Sequence, residues 1–154
     1  MNAPRRRLLV IDGPNLDLLG EREPGVYGAE TLQAVRLRLA AAAERLGCEV
    51  SFAQSNDEGQ LIELVHGAPA RAEGLIINPG ALAHYSYSLR DALAAVELPV
   101  VEVHISNVFA REEFRRQLVL APVVRGLVIG LGTEGYVLAL EALARHLSPR
   151  DQGS

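Results

Sequence analysis

The sequence predicts an α/β fold: a five-stranded parallel sheet, doubly wound, with helices on both faces in three layers. Two observations lead there. Short apolar runs alternate with helix-periodic stretches five times along the chain, and repeated β-then-α units bury a parallel sheet between helices. The length of 154 residues with 49% hydrophobic content also suits one domain with a real core.

Taken in order, the first strand, over 7–11, holds the apolar run Leu8, Leu9, Val10 and Ile11. It opens into a long loop from Asp12 to Gly28 in which Gly20, Pro24, Gly25 and Gly28 bracket Arg22, Glu23 and Tyr27. Connections in α/β units usually run about 2–6 residues, and longer ones are often lids or binding loops. Residues 20–28 therefore read as a flap that carries a cation and a phenol. The first long helix, over 32–46, has Thr31 as its expected N-cap and Gly47 as its stop. Strands over 49–54, 74–78, 100–103 and 126–129 follow, each leading into a helical stretch, over 59–69, 85–96, 111–115 and 134–147. No linker or internal repeat interrupts residues 1–154, which form one domain with flexible tails expected over 1–6 and 149–154.

Composition excludes several chemistries. The 15 basic residues are all arginine, so no amine exists for imine chemistry, pyridoxal phosphate attachment or a P-loop phosphate site. No Cys and His cluster has metal-ligand spacing, and His66 and His146 read as ordinary helix residues. The net charge of -4 gives no footprint for nucleic acid. The apolar run after Arg5, Arg6 and Arg7 is too short for a signal peptide or membrane span, so no membrane association is expected. Cys48 is the single cysteine, which fits a cytoplasmic protein without disulfides.

Ligands of open α/β sheets bind beyond the carboxyl ends of the strands. There the chain places Asp12-Gly13-Pro14-Asn15, Gln54-Ser55-Asn56, Asn78-Pro79-Gly80 and Glu102-Val103-His104-Ile105-Ser106-Asn107. Gln54, Ser55 and Asn56 read best as turn formers. Glu102 and His104 are two apart on a strand, hence on one face, where the carboxylate can hold the ring. Arg111 and Arg115 would share a face if their segment is helical, a solvated basic face being the plain alternative. A receiver domain would need a lysine and a flavodoxin a hydroxyl-rich phosphate loop, and neither is present.

These segments together resemble the type II 3-dehydroquinate dehydratases. The resemblance rests on the first loop, then Ile77-Asn78-Pro79-Gly80-Ala81 with His84, Ser88-Leu89-Arg90-Asp91-Ala92, the 102–107 segment, 110–115, Gly130-Leu131-Gly132 and Gly135-Tyr136. It implies a flavodoxin-like fold, a homododecamer built from trimers, no metal or cofactor, and dehydration of 3-dehydroquinate to 3-dehydroshikimate in aromatic biosynthesis or quinate breakdown. In that scheme Tyr27 is the base, Arg22 stabilises its phenolate, and His104, held by Glu102, protonates the leaving hydroxyl. Asn78 with the amides of Ile105 and Ser106 would hold the substrate carboxylate, His84 and Arg115 the ring hydroxyls, and Asp91 would reach a neighbouring subunit. The family pattern has asparagine at position 12 and histidine at position 109, where this chain has Asp12 and Phe109. Asparagine at position 12 helps stabilise the enolate; an ionised Asp12 would repel it, whereas an Asp12 kept protonated by burial could donate the missing hydrogen bond. The alternative function is a catalytically weak paralogue that binds a quinate-like polyol acid.

Overall fold

A computed structural model describes residues 4–147. Its strands β1 (Arg6–Asp12), β2 (Cys48–Gln54), β3 (Gly74–Asn78), β4 (Val100–His104) and β5 (Gly126–Ile129) form one all-parallel sheet in the order β2-β1-β3-β4-β5. That is the flavodoxin-like order, whose switch point lies between β1 and β3. The helices are α1 (Pro24–Tyr27), α2 (Leu32–Arg45), α3 (Glu58–Gly67), α4 (Tyr87–Ala95) and α5 (Glu134–Leu147).

The two-residue period of a strand divides the core. Leu8 and Val10 of β1 bury against Val35 and Leu39 of α2 and Tyr136 and Leu140 of α5. Leu9 and Ile11 bury on the other face against Leu61 and Val65 of α3 and Leu89 and Leu93 of α4. Each such side chain contributes roughly 1.5–3 kcal/mol on burial, so a one-residue slip of β1 would be prohibitive. The same alternation sends Asp12 toward the α2 and α5 side.

Capping explains where the helices start. The Thr31 hydroxyl accepts from the Ala34 amide, Asp57 accepts from Gln60, and Ser86 accepts from Leu89. The expected helix over 85–96 starts later, at Tyr87, because residues 80–84 make a separate 3-10 turn before the Ser86 cap.

Two expectations change. The tail expected over 1–6 ends sooner: Arg6 opposite Cys48 begins β1, and Arg5 binds both carboxylate oxygens of Glu44 at 2.5 and 3.0 Å. Residues 1–3 and 148–154, which include the tail expected over 149–154, lie outside the described residues. The helix expected over 111–115 does not form. Two 3-10 turns, Val108–Ala110 and Glu113–Arg116, replace it, and the segment is too short to gain from α-helical bonding. Arg111 sits between them, while Arg115 bonds back three residues to Glu112, as 3-10 geometry favours.

Candidate active site

The crevice is built first by backbone. The Gly13 amide donates to the Asn78 carbonyl at 2.7 Å, drawing the ends of β1 and β3 together. A Cβ on Gly13 would stand 2.6 Å from the Pro79 carbonyl oxygen, so only glycine permits this approach. Gln54 Nε2 donates to the Gly13 carbonyl at 3.2 Å and to Asn56 Oδ1 at 3.1 Å. Asn56 Oδ1 also accepts from the Asn15 amide at 2.9 Å, supporting the left-handed φ of 71° there. The polar end of β2 thus shapes the first loop from outside the cavity.

The flap is one helical turn, α1. Gly20 at φ 91° begins the segment, and a Cβ there would meet the Ala29 carbonyl oxygen at 2.9 Å. Glu30 fastens its far side: Thr133 donates to the Glu30 carboxylate at 2.5 Å, Arg38 of α2 donates to Thr133 at 3.1 Å, and Arg38 pairs with Glu30 at 3.5 Å. Held this way, the Tyr27 ring lies between two guanidiniums. Arg22 is 4.9 Å and Arg111 5.1 Å from the ring centroid, and Arg22 Nη2 is 3.5 Å from the phenol oxygen. Arg111 is steadied in turn by donating to Ser106 Oγ at 3.1 Å.

Opposite chemistry comes from β4. His104 Nε2 is 2.6 Å from Glu102 Oε2, and both side chains are buried on the α3 and α4 side of the sheet. With Nε2 bonded to the carboxylate, the imidazole can exchange a proton through Nδ1. His84 stacks beside it, with ring centroids 6.2 Å apart, and its Nδ1 lies 2.9 Å from the Gln117 carbonyl. A carbonyl only accepts, so Nδ1 carries the proton and Nε2 of the neutral ring is an acceptor. Burial keeps His84 neutral by lowering its pKa, against the raising effect of Gln117, with His104 and Arg115 adding to the lowering.

Asp12 does something else. Its carboxylate accepts from the Tyr136 hydroxyl at 2.6 Å, and that hydroxyl accepts from Asn78 Nδ2 at 2.8 Å. Burial pushes the Asp12 carboxyl up to about 6, although the Tyr136 hydrogen bond and the nearby Arg36 charge pull it down. Tyr136, fully buried against that carboxylate, is held well above the usual phenol range by desolvation first and then by the Asp12 charge.

One cavity gathers Arg22, Tyr27, Asn78, His84, His104, Ile105, Ser106 and Arg115 of the expected residues. Asp12, Glu102 and Asp91 are not among its lining. Asp12 therefore departs from the expected place beside an enolate: its carboxylate turns to the Tyr136 hydroxyl, while its register partner Asn78, on the same face of the sheet, reaches the cavity. Sequence reasoning left Arg111 and Tyr136 out of the site. Arg111 was hidden by the helix that does not form, whereas a tyrosine within the apolar face of α5 signals a buried hydroxyl needing partners. Three arginines and no carboxylate line the cavity, in a chain of net charge -4. Among the described residues no group of three or more His, Cys, Asp or Glu could hold a metal, and no helix is long and apolar enough to cross a membrane.

A flavodoxin-like sheet that brings a guanidinium-flanked phenol and a carboxylate-held imidazole to one cationic cavity has the equipment of an acid–base enzyme acting on an anion. Comparison with known proteins is specific. The family model "Dehydroquinase class II" matches residues 6–144. The 3-dehydroquinate dehydratase of Pelotomaculum thermopropionicum is 50% identical over 138 residues, covering 90% of this chain and 96% of that protein. That of Bacillus subtilis is 52% identical over 135 residues, covering 88% and 91%. The crystal structure of the type II dehydroquinase from Butyrivibrio crossotus superposes with a TM-score of 0.88 at 43% identity, covering 90% of this chain and 97% of that one. The chain belongs to the class II dehydroquinases, and is an enzyme of that family.

The Asp12 carboxyl gives a stability prediction. Its folded pKa of about 6 exceeds the ordinary carboxyl value of 3.8, so the folded state holds the proton more tightly and stability falls as pH rises through that window. Two units correspond to about 3 kcal/mol. Urea unfolding should show Asp12→Asn gaining on the natural protein by about that amount between pH 4 and pH 7.5. A difference that does not change with pH would contradict the raised pKa of the buried Asp12.

Proposed function

We propose that this enzyme dehydrates 3-dehydroquinate to 3-dehydroshikimate through an enolate, with Tyr27 as base and His104 as acid. The observation that carries the reading is the Tyr27 phenol between Arg22 and Arg111, in the same cavity as the His104–Glu102 pair. A neutral phenol is a poor base for a carbon acid. Arg22 and Arg111 place two positive charges 4.9 and 5.1 Å from the centroid of its ring. Arginine suits this place because its planar head stacks on a ring face while staying charged.

In the first step the phenolate oxygen takes a proton from the carbon beside the ketone, and the electron pair becomes an enolate. The arginines lining the cavity stabilise the substrate's charge and that of the intermediate. In the second step the enolate re-forms the carbonyl and a carbon–carbon double bond while the ring carbon–oxygen bond breaks. His104 delivers a proton to the departing hydroxyl, which leaves as water, and Glu102 keeps the imidazole oriented. Asn78, Ile105 and Ser106 hold the substrate carboxylate, and the acceptor nitrogen of His84 receives a ring hydroxyl. Flap closure keeps bulk water from the enolate. The reading as a weak paralogue depends on a carboxylate at Asp12 facing the intermediate. Its burial against Tyr136, away from the cavity lining, supports an active enzyme instead.

The assembly we propose is a homododecamer built from trimers, in which Asp91 of α4 serves a neighbouring cavity. Support comes from its absence from the lining of its own cavity and from exposed Tyr85, Tyr87, Phe109 and Phe114, 49–64% accessible. Light scattering should give about twelve times 16.6 kDa; a fully active monomer would exclude this assembly.

Activity is read directly from the ultraviolet absorbance of the conjugated product. The natural protein should convert 3-dehydroquinate, and Tyr27→Phe should lose about 10²–10⁴ in kcat. No absorbance gain at high enzyme would remove the functional reading, and an unimpaired Tyr27→Phe would remove Tyr27 as base.

A further inference from the structure

Asp12 and Asn78 are paired across β1 and β3, with Tyr136 of α5 bridging their side chains. A phenol has one proton. Because an ionised carboxylate only accepts, that proton goes to Asp12, and the contact with Asn78 must be an amide N–H donating to the phenol oxygen. Asn78 Oδ1 then faces the Gly80 amide, from which it accepts at 3.2 Å. Each link fixes the polarity of the next, and the chain begins at Asp12.

We propose that Asp12 is a positioning residue that, through Tyr136, holds the Asn78 amide with its Nδ2 available as a donor to a substrate carboxylate. This rests on the reading of Asn78 as a carboxylate-binding group. The arrangement has a built-in direction that depends on the charge of Asp12. A protonated carboxyl can donate to the Tyr136 oxygen, which frees the phenol proton to point at Asn78. That proton needs an acceptor, so the amide turns its Oδ1 toward Tyr136. Its Nδ2 then meets the Gly80 N–H donor to donor, and the cavity loses its hydrogen-bond donor.

The surroundings leave the switch to few groups. Tyr136 faces Asp12 from α5, Arg36 approaches from α2, and the strand neighbours are Gln54 on β2 and Asn78 on β3. Arg36 stacks 5.5 Å from the Phe52 ring centroid, and its Nε is buried without a hydrogen-bond partner among the described residues. It therefore acts on Asp12 as a nearby charge and leaves the carboxylate free to turn. Asparagine at position 12 would accept from Tyr136 as a carboxylate does, and it cannot be protonated.

The test is the pH dependence of KM, separated from kcat, for the natural protein and Asp12→Asn, with calorimetric binding of quinate measured alongside. If only the ionised form presents the donor, apparent affinity scales with the ionised fraction, about one tenth at one pH unit below the group's pKa. KM and the quinate Kd should each rise about tenfold from pH 7 to pH 5 in the natural protein and stay flat in Asp12→Asn. A merely structural Asp12 would change stability and leave the shape of both profiles unaltered. Tyr136→Phe, if it folds, should weaken binding at every pH and flatten the profile. Profiles that match between the natural protein and Asp12→Asn, or that are flat in both, overturn the proposal. If 3-dehydroquinate is not turned over, the functional reading fails while the quinate profiles still decide this one, and absent quinate binding at every pH overturns it.

Discussion

The hydrogen bond from the Gly13 amide to the Asn78 carbonyl closes the switch point of the sheet, and the site depends on it. In a parallel sheet the strand carboxyl ends all emerge on one edge, and the chain leaves β1 and β3 toward opposite faces. Bringing those two ends into contact sets Asp12 beside Asn78 and starts the long first loop from a fixed point. From there the loop carries Arg22 and Tyr27 over an edge where β4 presents His104. Gly13 makes the contact possible by having no side chain to strike Pro79.

Two buried carboxylates sit at this edge, and the sheet separates their work. Glu102 is on the α3 and α4 side, bonded to an imidazole that lines the cavity. Asp12 is on the α2 and α5 side, bonded to a phenol that does not. Burial without partners would be costly for either group, and each has one strong hydrogen bond. Neither lines the cavity, whose charged lining consists of three arginines, with Arg22 paired to Glu23 and Arg115 to Glu112. A net charge of -4 for the whole chain therefore hides a local site suited to an anion.

The fold was legible because periodicity and caps agree. All five strands are where apolar runs place them, and Thr31 begins α2 as its hydroxyl suggests. The facing of Glu102 and His104 followed from alternation alone. The same rule puts Asp12 on the face of its register partner Asn78, which lines the cavity, so it is the Tyr136 hydroxyl, distant in sequence, that decides the direction of the carboxylate. Arg111 was obscured for a different reason. A five-residue segment carries too little periodic signal to separate an α-helix from two 3-10 turns, and that distinction decides whether Arg111 faces Tyr27. Gln54 and Asn56 passed as turn formers because their role is to hold a loop distant in sequence, which no local pattern records.

The central claim is a division of labour, with carbon deprotonation by Tyr27 separable from hydroxyl loss assisted by His104. It is tested by incubating 3-dehydroquinate in heavy water with His104→Ala and with Tyr27→Phe and following the proton beside the ketone by NMR. His104→Ala should exchange this proton for deuterium faster than an enzyme-free control while the substrate persists, and Tyr27→Phe should not. Equal exchange by the two variants would contradict it.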